Sequence, residues 1–305
     1  MISTFLCAVL LAQAPAQNTL PFAWDRAVSA RVEVKEIVSK IPFEYEFDFK
    51  VFLDGDGVGV VLKQSNFELK AVANLDLTKA AAQESMREWI VQKNHIPTIR
   101  ASEVGAFEEF TDSKKVEAAF FKEITAGYNP MELKAAQLNL QNPVYNRSWF
   151  SPLRMNWYRW SELWTGLSSK PGVRSSKRRA FLNLDWVGWM DVVSEVEVSE
   201  RFMQDGREVI RVQSQFAIDD QAMGQHWLTF MRSLRFAPTD IFNLQSYEVV
   251  YRDTAIFDTE TWLPLEIVCK VDSTMAMKTS RAEWEENAAE EFNYRFDWKL
   301  RETAK

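Results

Sequence analysis

Carboxylates are the side chains of this sequence with the clearest catalytic potential. Glutamates occur as adjacent pairs at Glu108-Glu109, Glu285-Glu286 and Glu290-Glu291. Two carboxyl groups that face each other across a cleft, roughly 5 to 10 Å apart, can hydrolyse a glycosidic bond. Adjacency along the chain does not set such a separation. We therefore interpret the pairs as solvent-facing charge and keep a carboxylate-dependent glycan hydrolase as an alternative function.

Metal, nucleophile and phosphate chemistry have little support. The sequence has two histidines, His95 and His226, and no cluster of histidine and cysteine, so no metal site is predicted. It contains neither G-x-S-x-G nor a glycine-rich phosphate loop. No catalytic residue and no cofactor is predicted, which favours a binding protein over an enzyme.

Tryptophans form the most unusual cluster, in "SPLRMNWYRWSELW" at residues 151–164. Ser151 and Pro152 suit a helix start and Gly166 suits its end. The spacing places Trp157, Trp160 and Trp164 on one face of that helix. This face either packs on a sheet or covers an apolar cavity or membrane surface.

A basic stretch follows the tryptophans. Residues 168–180, "SSKPGVRSSKRRA", contain no acidic residue and are predicted to form a loop. Arg178 and Arg179 in this loop could meet an anionic head group. The tentative ligand-binding residues are Trp157, Trp160, Trp164, Arg178 and Arg179.

Strand patterns lie on both sides of this region. Apolar and polar residues alternate strictly from Phe43 to Val51 and from Phe292 to Leu300, which is typical of half-buried antiparallel strands. Asp54 to Gly57 and Asp205-Gly206 predict hairpin turns. The hairpins "VVLKQSNFEL" and "VIRVQSQFAI" align without gaps, which suggests two related halves. We predict an α+β protein with a curved antiparallel β-sheet, an incomplete barrel, and a helical middle region.

The N-terminal residues have the composition of an export signal. An apolar run from Ile2 to Leu11 precedes Ala14-Pro15-Ala16, which fits a signal-peptidase site, so the mature chain is expected to start at Gln17. Cys269 is then the remaining cysteine, and no intrachain disulfide forms. No later segment is apolar enough to span a membrane. We expect a bacterial protein that is exported to the periplasm or cell envelope.

Composition bounds the remaining possibilities. The chain has 305 residues, of which 47% are hydrophobic, and a net charge of -7, which argues against nucleic-acid binding. We divide it into a signal peptide at 1–16, an N-terminal antiparallel β region at 17–75, a helical, tryptophan-rich middle at 76–190, and a C-terminal antiparallel β region with one helix at 191–305. These regions form one or two domains.

One turn carries a resemblance to a known family. In "FDTETWLPLEIVCKVD" the matching residues are Phe257, Asp258, Thr261, Leu263 and Pro264. This strand-turn-strand resembles the lipoprotein carriers of the LolA and LolB type and related exported half-barrel proteins. The resemblance implies a curved, incomplete barrel closed by helices over an apolar cavity that holds acyl chains. Relative to that pattern the middle region is an insertion, and no binding residue of the family is carried over.

The sequence thus predicts an exported protein that binds an apolar or amphipathic, lipid-like ligand in a cavity between sheet and helix. A structural or partner-binding envelope protein is the second interpretation. The glycan hydrolase is the third.

Overall fold

The computed structural model describes residues 19–38, 40–55, 59–140, 153–183, 188–218, 223, 243–278 and 283–302. The predicted signal peptide, the helix start at Ser151 and Pro152, and His226 lie outside these residues. None of the helices in the described part of the chain is long and apolar enough to cross a membrane.

The described elements are mostly strands. They are β1 (Ala27–Val38), β2 (Ile41–Leu53), β3 (Val60–Val72), β4 (Ile99–Ala101), β5 (Phe107–Phe110), β6 (Arg174–Asn183), β7 (Gly188–Val198), β8 (Phe202–Gln204), β9 (Arg207–Ile218), β10 (Asn243–Asp258), β11 (Pro264–Lys278) and β12 (Glu283–Leu300). The helices are α1 (Ala80–Asn94), α2 (Ser113–Ile124) and α3 (Pro130–Leu140). Residues 153–166, here called the tryptophan segment, contain an α-helical start and a π-helical turn at Tyr158–Glu162.

All described strands belong to one open antiparallel sheet. Its order is β5-β4-β3-β2-β1-β12-β11-β10-β9-β7-β6, and β8 pairs with β9. This confirms the predicted antiparallel, incompletely closed sheet. The first and last strands pair along their length, for example Val32 with Phe296 and Ala30 with Trp298. The two predicted β regions therefore contribute to one sheet.

The alternation in the sequence corresponds to two faces of this sheet. Phe47 of β2 and Phe296 of β12 both lie opposite Val32 of β1, and all three side chains are buried. Side chains alternate between faces along a strand, so the intervening charged residues point to the other face. Cys269, in the middle of β11, is fully buried, as its apolar strand face predicted.

The turn that carries the family resemblance joins β10 to β11. Asp258 Oδ1 accepts hydrogen bonds from the backbone N–H groups of Glu260 at 2.9 Å and Thr261 at 2.8 Å. Trp262 adopts a φ of 61°, and Pro264 begins β11. An aspartate that binds the backbone two and three residues ahead stabilises a tight turn, which explains its position here.

The middle region differs from the sequence prediction. It contains α1, α2 and α3, but also β4, β5, all of β6 and the start of β7. The basic stretch predicted as a loop is a strand from Arg174 onward, because its backbone pairs with β7 from Glu197 to Gly188. These hydrogen bonds come from a distant segment, so local composition did not reveal them. The duplication stays a prediction, since most of the helix expected after β9 lies outside the described residues.

Candidate ligand-binding cavity

The tryptophan segment lies inside the core. Trp157, Trp160 and Trp164 expose 0%, 4% and 1% of their surface and belong to the main hydrophobic cluster. Trp157 contacts Trp24 with ring centroids 5.1 Å apart, and Trp160 contacts Phe49 at the same separation. Of the arrangements that the sequence allows, packing of the indoles against the sheet is the one observed.

A π-helical turn explains why this segment is buried on more than one side. Leu163 N donates to Tyr158 O at 2.9 Å, a bond that spans five residues. Tyr158, Arg159, Trp160 and Ser161 are all buried. A π turn inserts one residue into a helix and rotates the residues that follow, and such turns are frequent at functional sites. The segment is therefore buried on more than one side, whereas the spacing of the tryptophans predicted a single buried face.

Buried hydrogen bonds anchor the segment. The indole Nε1 of Trp157 donates to Gly105 O at 3.0 Å, and Ser161 Oγ donates to the same oxygen at 3.2 Å. Trp164 Nε1 donates to Arg159 O at 2.6 Å. Buried polar groups that find such partners fix one arrangement of a core.

A cavity of about 470 Å³ adjoins this segment on the same face of the sheet. It is lined by Glu36, Val38, Lys93, Met155, Asn156, Arg159, Tyr247, Val249, Tyr251, Val271, Ser273, Met275, Glu286, Ala288, Glu290 and Phe292. Strands β10, β11 and β12 provide the wall through alternate residues, because Tyr251, Val271 and Glu290 are register partners. Met155, Asn156 and Arg159 of the tryptophan segment face the wall.

The five ligand-binding residues predicted from the sequence are not brought together there. The three tryptophans lie in the core, and they are not among the described residues that line the cavity. Arg178 and Arg179 lie in β6, paired with Val193 and Val192, and β7 and β9 separate that strand from β10. The sequence reasoning missed Arg159. The sequence feature that could have identified Arg159 is its position as a cationic residue between the aromatic residues Tyr158 and Trp160.

Arg159 is the buried cation of this cavity. It exposes 9% of its surface, and its Cζ lies 4.2 Å from the centroid of the Phe292 ring. Burial lowers the pKa of its guanidinium, but the surrounding Cys269, Tyr294, Asp253 and Tyr251 outweigh burial and raise the pKa above its ordinary value. Burial raises the pKa of the Cys269 thiol, and Asp253 is the acidic side chain in this set. Arg159 is charged throughout the physiological range.

Two further charged residues, Glu36 and Lys93, also line the cavity. Tyr45 Oη donates to Glu36 Oε2 at 2.8 Å. Lys93 Nζ lies 5.1 Å from the Tyr45 ring centroid and 5.2 Å from that of Trp89, within the range of cation–π attraction. Burial lowers the pKa of Lys93, and Glu36 opposes that shift.

Glu290 lies half-buried on the cavity wall. Burial raises the pKa of its carboxyl group, Arg159 opposes the shift, and Glu36 adds to it. A carboxyl group in such a setting retains its proton to a higher pH than one in water. Among the described residues, no group of three or more histidine, cysteine or acidic side chains could hold a metal ion.

A second pocket of about 580 Å³ lies between β6, β7, β9 and β10. Its lining is mostly polar and includes Arg174, Glu197, Gln213 and Arg252. Arg174 and Glu197 form an ion pair at 3.0 Å across this edge of the sheet. This pocket offers less apolar surface to a lipid-like ligand than the first cavity does.

Comparisons with known proteins do not show a family for this chain. No protein-family model matches the sequence. No curated protein matches it either. A solved structure described as "Lipid-protein interactions in lipovitellin" matches with a TM-score of 0.39 and 8% sequence identity, covering 91% of this chain. The chain spans 26% of the length of that protein, and the lipid interactions so described are those of lipovitellin.

Proposed function

We propose that this protein binds an apolar or amphipathic, lipid-like ligand in the cavity between the sheet and the tryptophan segment. The observation that carries the proposal is the cavity itself, about 470 Å³ in volume, with a wall of aliphatic and aromatic side chains. Small-molecule sites have volumes of roughly 300 to 1,000 Å³ and are mainly apolar with a few placed polar groups.

The lining supports an amphipathic ligand. Val38, Met155, Val249, Val271 and Met275 offer apolar surface, and its removal from water stabilises binding by roughly 25 cal/mol per Å². Arg159, Lys93 and Glu36 add charge on the same cavity. An alkyl chain with a polar end matches both kinds of surface.

The site of action belongs to the same proposal. The leader-like residues 1–16 and the turn that resembles LolA- and LolB-type carriers support export to the periplasm or cell envelope. Expression in a bacterial host followed by fractionation and mass spectrometry tests this. The expected result is a periplasmic protein that begins at Gln17. A full-length protein in the cytoplasmic fraction would contradict export.

The binding test uses an environment-sensitive apolar fluorophore, N-phenyl-1-naphthylamine, and its displacement by dodecanol. Ala288 lines the cavity, whereas its neighbour Ala289 is exposed on the other face. Ala288→Phe fills part of the cavity and is expected to weaken fluorophore binding at least tenfold. Ala289→Phe adds the same side chain outside the cavity and is expected to change the affinity by less than twofold.

Two results would overturn this assignment. One is the absence of saturable fluorophore binding by the wild-type protein. The other is equal weakening by Ala288→Phe and Ala289→Phe, which would place the fluorophore elsewhere. Circular dichroism of both variants checks that the sheet is retained.

Glycan hydrolysis is a second candidate, because Glu36, Glu286 and Glu290 face one cavity. Burial raises the pKa of Glu290, as a general acid requires. Release of reducing sugar from a polysaccharide panel, lost in Glu290→Gln and retained in the exposed control Glu285→Gln, would support it. No release from any glycan would exclude it. A structural or partner-binding role stays a prediction.

A further inference from the structure

We propose that Arg159 anchors an acid group of the ligand, so that the cavity takes an anionic amphiphile with an alkyl chain. This inference rests on the proposed function and names the chemical class of the ligand. It concerns the guanidinium that faces the cavity, and the apolar residues of β10 and β11 that line the cavity beside it.

The first observation is a buried charge without a counter-ion in contact. The Arg159 side chain is more than nine-tenths buried, yet no described residue forms an ion pair with it within 4.0 Å. Asp253, itself buried, attracts it through space. A buried charge is stable only when it is paired and hydrogen-bonded, and removal of a partner from such a pair costs several kcal/mol. A ligand anion would complete this environment.

The second observation is a neighbouring hydrogen-bond donor. Asn156 also lines the cavity, and its Oδ1 accepts a hydrogen bond from Tyr294 Oη at 3.1 Å. That bond leaves Nδ2 of Asn156 without a hydrogen-bond partner among the described residues. Arg159 and Asn156 are three residues apart in the tryptophan segment, and both line this cavity. Two neighbouring donor groups suit the two oxygens of an acid group.

The π turn is a third, independent observation. Arg159 is the second residue of the turn, and the core tryptophans lie on both sides of it in sequence. π turns are frequent at functional sites. Arg159 lines the cavity from within this turn, while Trp160 and Trp164 lie in the core.

The other charges of the cavity have closer partners. Glu36 accepts the hydrogen bond of Tyr45, and Lys93 lies over two aromatic rings and is attracted by Glu36. Glu286 is exposed at the rim. Glu290 lies on the β12 wall of the same cavity, and burial raises the pKa of its carboxyl group. Arg159 is thus the cation best placed to receive the acid group.

The wall next to Arg159 can hold an extended chain. From Phe292, on which Arg159 stacks, alternate residues Glu290, Ala288 and Glu286 of β12 continue along the cavity. Six residues of a strand span about 20 Å at roughly 3.3 Å per residue. Val271 and Met275 of β11 and Val249 of β10 line the same path. A medium or long alkyl chain fits this direction.

The experiment measures displacement of N-phenyl-1-naphthylamine from the full protein by dodecanoate, dodecyl phosphate, dodecanol, dodecylamine and acetate, below micelle-forming concentrations. Dodecanoate or dodecyl phosphate is expected to bind at least tenfold tighter than dodecanol. The tighter of these two acids distinguishes a carboxylate from a phosphate ligand. Acetate, which lacks a chain, is expected not to compete.

The variants test the residues. Arg159→Met is expected to remove the preference for the acid while dodecanol affinity changes less than threefold. Arg211→Met is the matched control, because Arg211 also lies over a phenylalanine ring, that of Phe202 at 5.1 Å, but is exposed. It is expected to keep the preference. Asn156→Asp retains the acceptor for Tyr294 and adds a negative charge, so it should selectively weaken the acid even if Arg159→Met fails to fold.

Two outcomes overturn the inference while leaving the proposed function intact. One is equal affinity of the wild-type protein for acid and alcohol, or a preference for dodecylamine. The other is an acid preference that stays unchanged in Asn156→Asp and, where Arg159→Met folds, in that variant as well. Failure of every alkyl compound to bind, dodecanol included, would instead overturn the proposed function.

Discussion

The indole N–H groups of Trp157 and Trp160 are both buried, but they differ in hydrogen bonding. Trp157 Nε1 donates to a buried carbonyl oxygen, that of Gly105. Trp160 Nε1 is buried and has no hydrogen-bond partner among the described residues. A satisfied donor stabilises the fold, whereas a buried donor without a partner retains its desolvation cost. Two tryptophans of similar burial therefore differ in what a phenylalanine would change.

We predict that Trp157→Phe lowers the free energy of unfolding by about 1–3 kcal/mol more than Trp160→Phe does. Both changes remove similar ring area, but only the first leaves part of a buried hydrogen-bond network open. Urea unfolding followed by circular dichroism measures the difference. Equal losses in the two variants would show that hydrogen bonding at Trp157 contributes nothing.

Glu290 gives a pH-dependent prediction. Its pKa is raised in the folded state, so the folded protein holds this proton more tightly than the unfolded chain. The resulting stability is present below the unfolded pKa and is lost as the pH rises through the folded pKa. Glu290→Gln is therefore expected to unfold at a higher urea concentration than wild type at pH 8, with a smaller difference at pH 4. Glu285→Gln, which is exposed, serves as the control.

At the scale of the elements, the loop between β4 and β5 packs closely against the tryptophan segment at Gly105. Gly105 has a φ of 74°, and an added Cβ would lie 2.5 Å from the Phe22 ring and 2.6 Å from Ser161 Oγ. Its carbonyl oxygen also accepts the hydrogen bonds of Trp157 and Ser161. Gly105 lies in the loop between β4 and β5, and its missing side chain lets this loop pack closely against the tryptophan segment.

Gly105→Ala is expected to destabilise the protein by at least about 2 kcal/mol more than Gly206→Ala. Gly206 has a similar φ of 78°, but nothing lies within 4 Å of an added Cβ. The pair separates the backbone cost, which both share, from the steric cost at Gly105. Thermal unfolding of the two variants measures it, and equal shifts would rule out the steric contribution.

At the scale of the molecule, the sheet joins the two ends of the described chain. β1 pairs with β12 near the centre of the strand order, and the main hydrophobic cluster includes residues from Leu20 to Phe296. A single core that both terminal regions share favours one cooperative unfolding transition. Independent unfolding of an N-terminal and a C-terminal region is not expected.

Val32→Ala tests this cooperativity. Val32 is fully buried between β2 and β12, and its truncation is expected to cost about 2 kcal/mol. Tryptophan fluorescence and far-ultraviolet circular dichroism should shift to lower temperature together. Lys35→Ala, an exposed change on the same strand, should leave both midpoints nearly unchanged. Separate midpoints for the two probes would indicate two unfolding units.

Local pattern predicted the strands and turns well, and the site poorly. The hairpin at Asp205-Gly206 forms with both residues at positive φ, as its residue types require. Arg178 and Arg179 were assigned to a loop because a polar run has no apolar period, yet their backbone pairs in β6. Arg159 was overlooked because the spacing of the tryptophans assumed a regular helix, and the π turn changes that spacing.

The sequence by itself determined the strands that alternate, the tight turns and the burial of Cys269, since these depend on residues close to one another in the chain. Tertiary structure alone decided that β1 pairs with β12, that the tryptophans face the core, and that Arg159 faces a cavity. The physical reason is that periodicity shows which side of an element is apolar. It does not show which distant surface will cover that side, and the packing of many strands against one buried segment decides this.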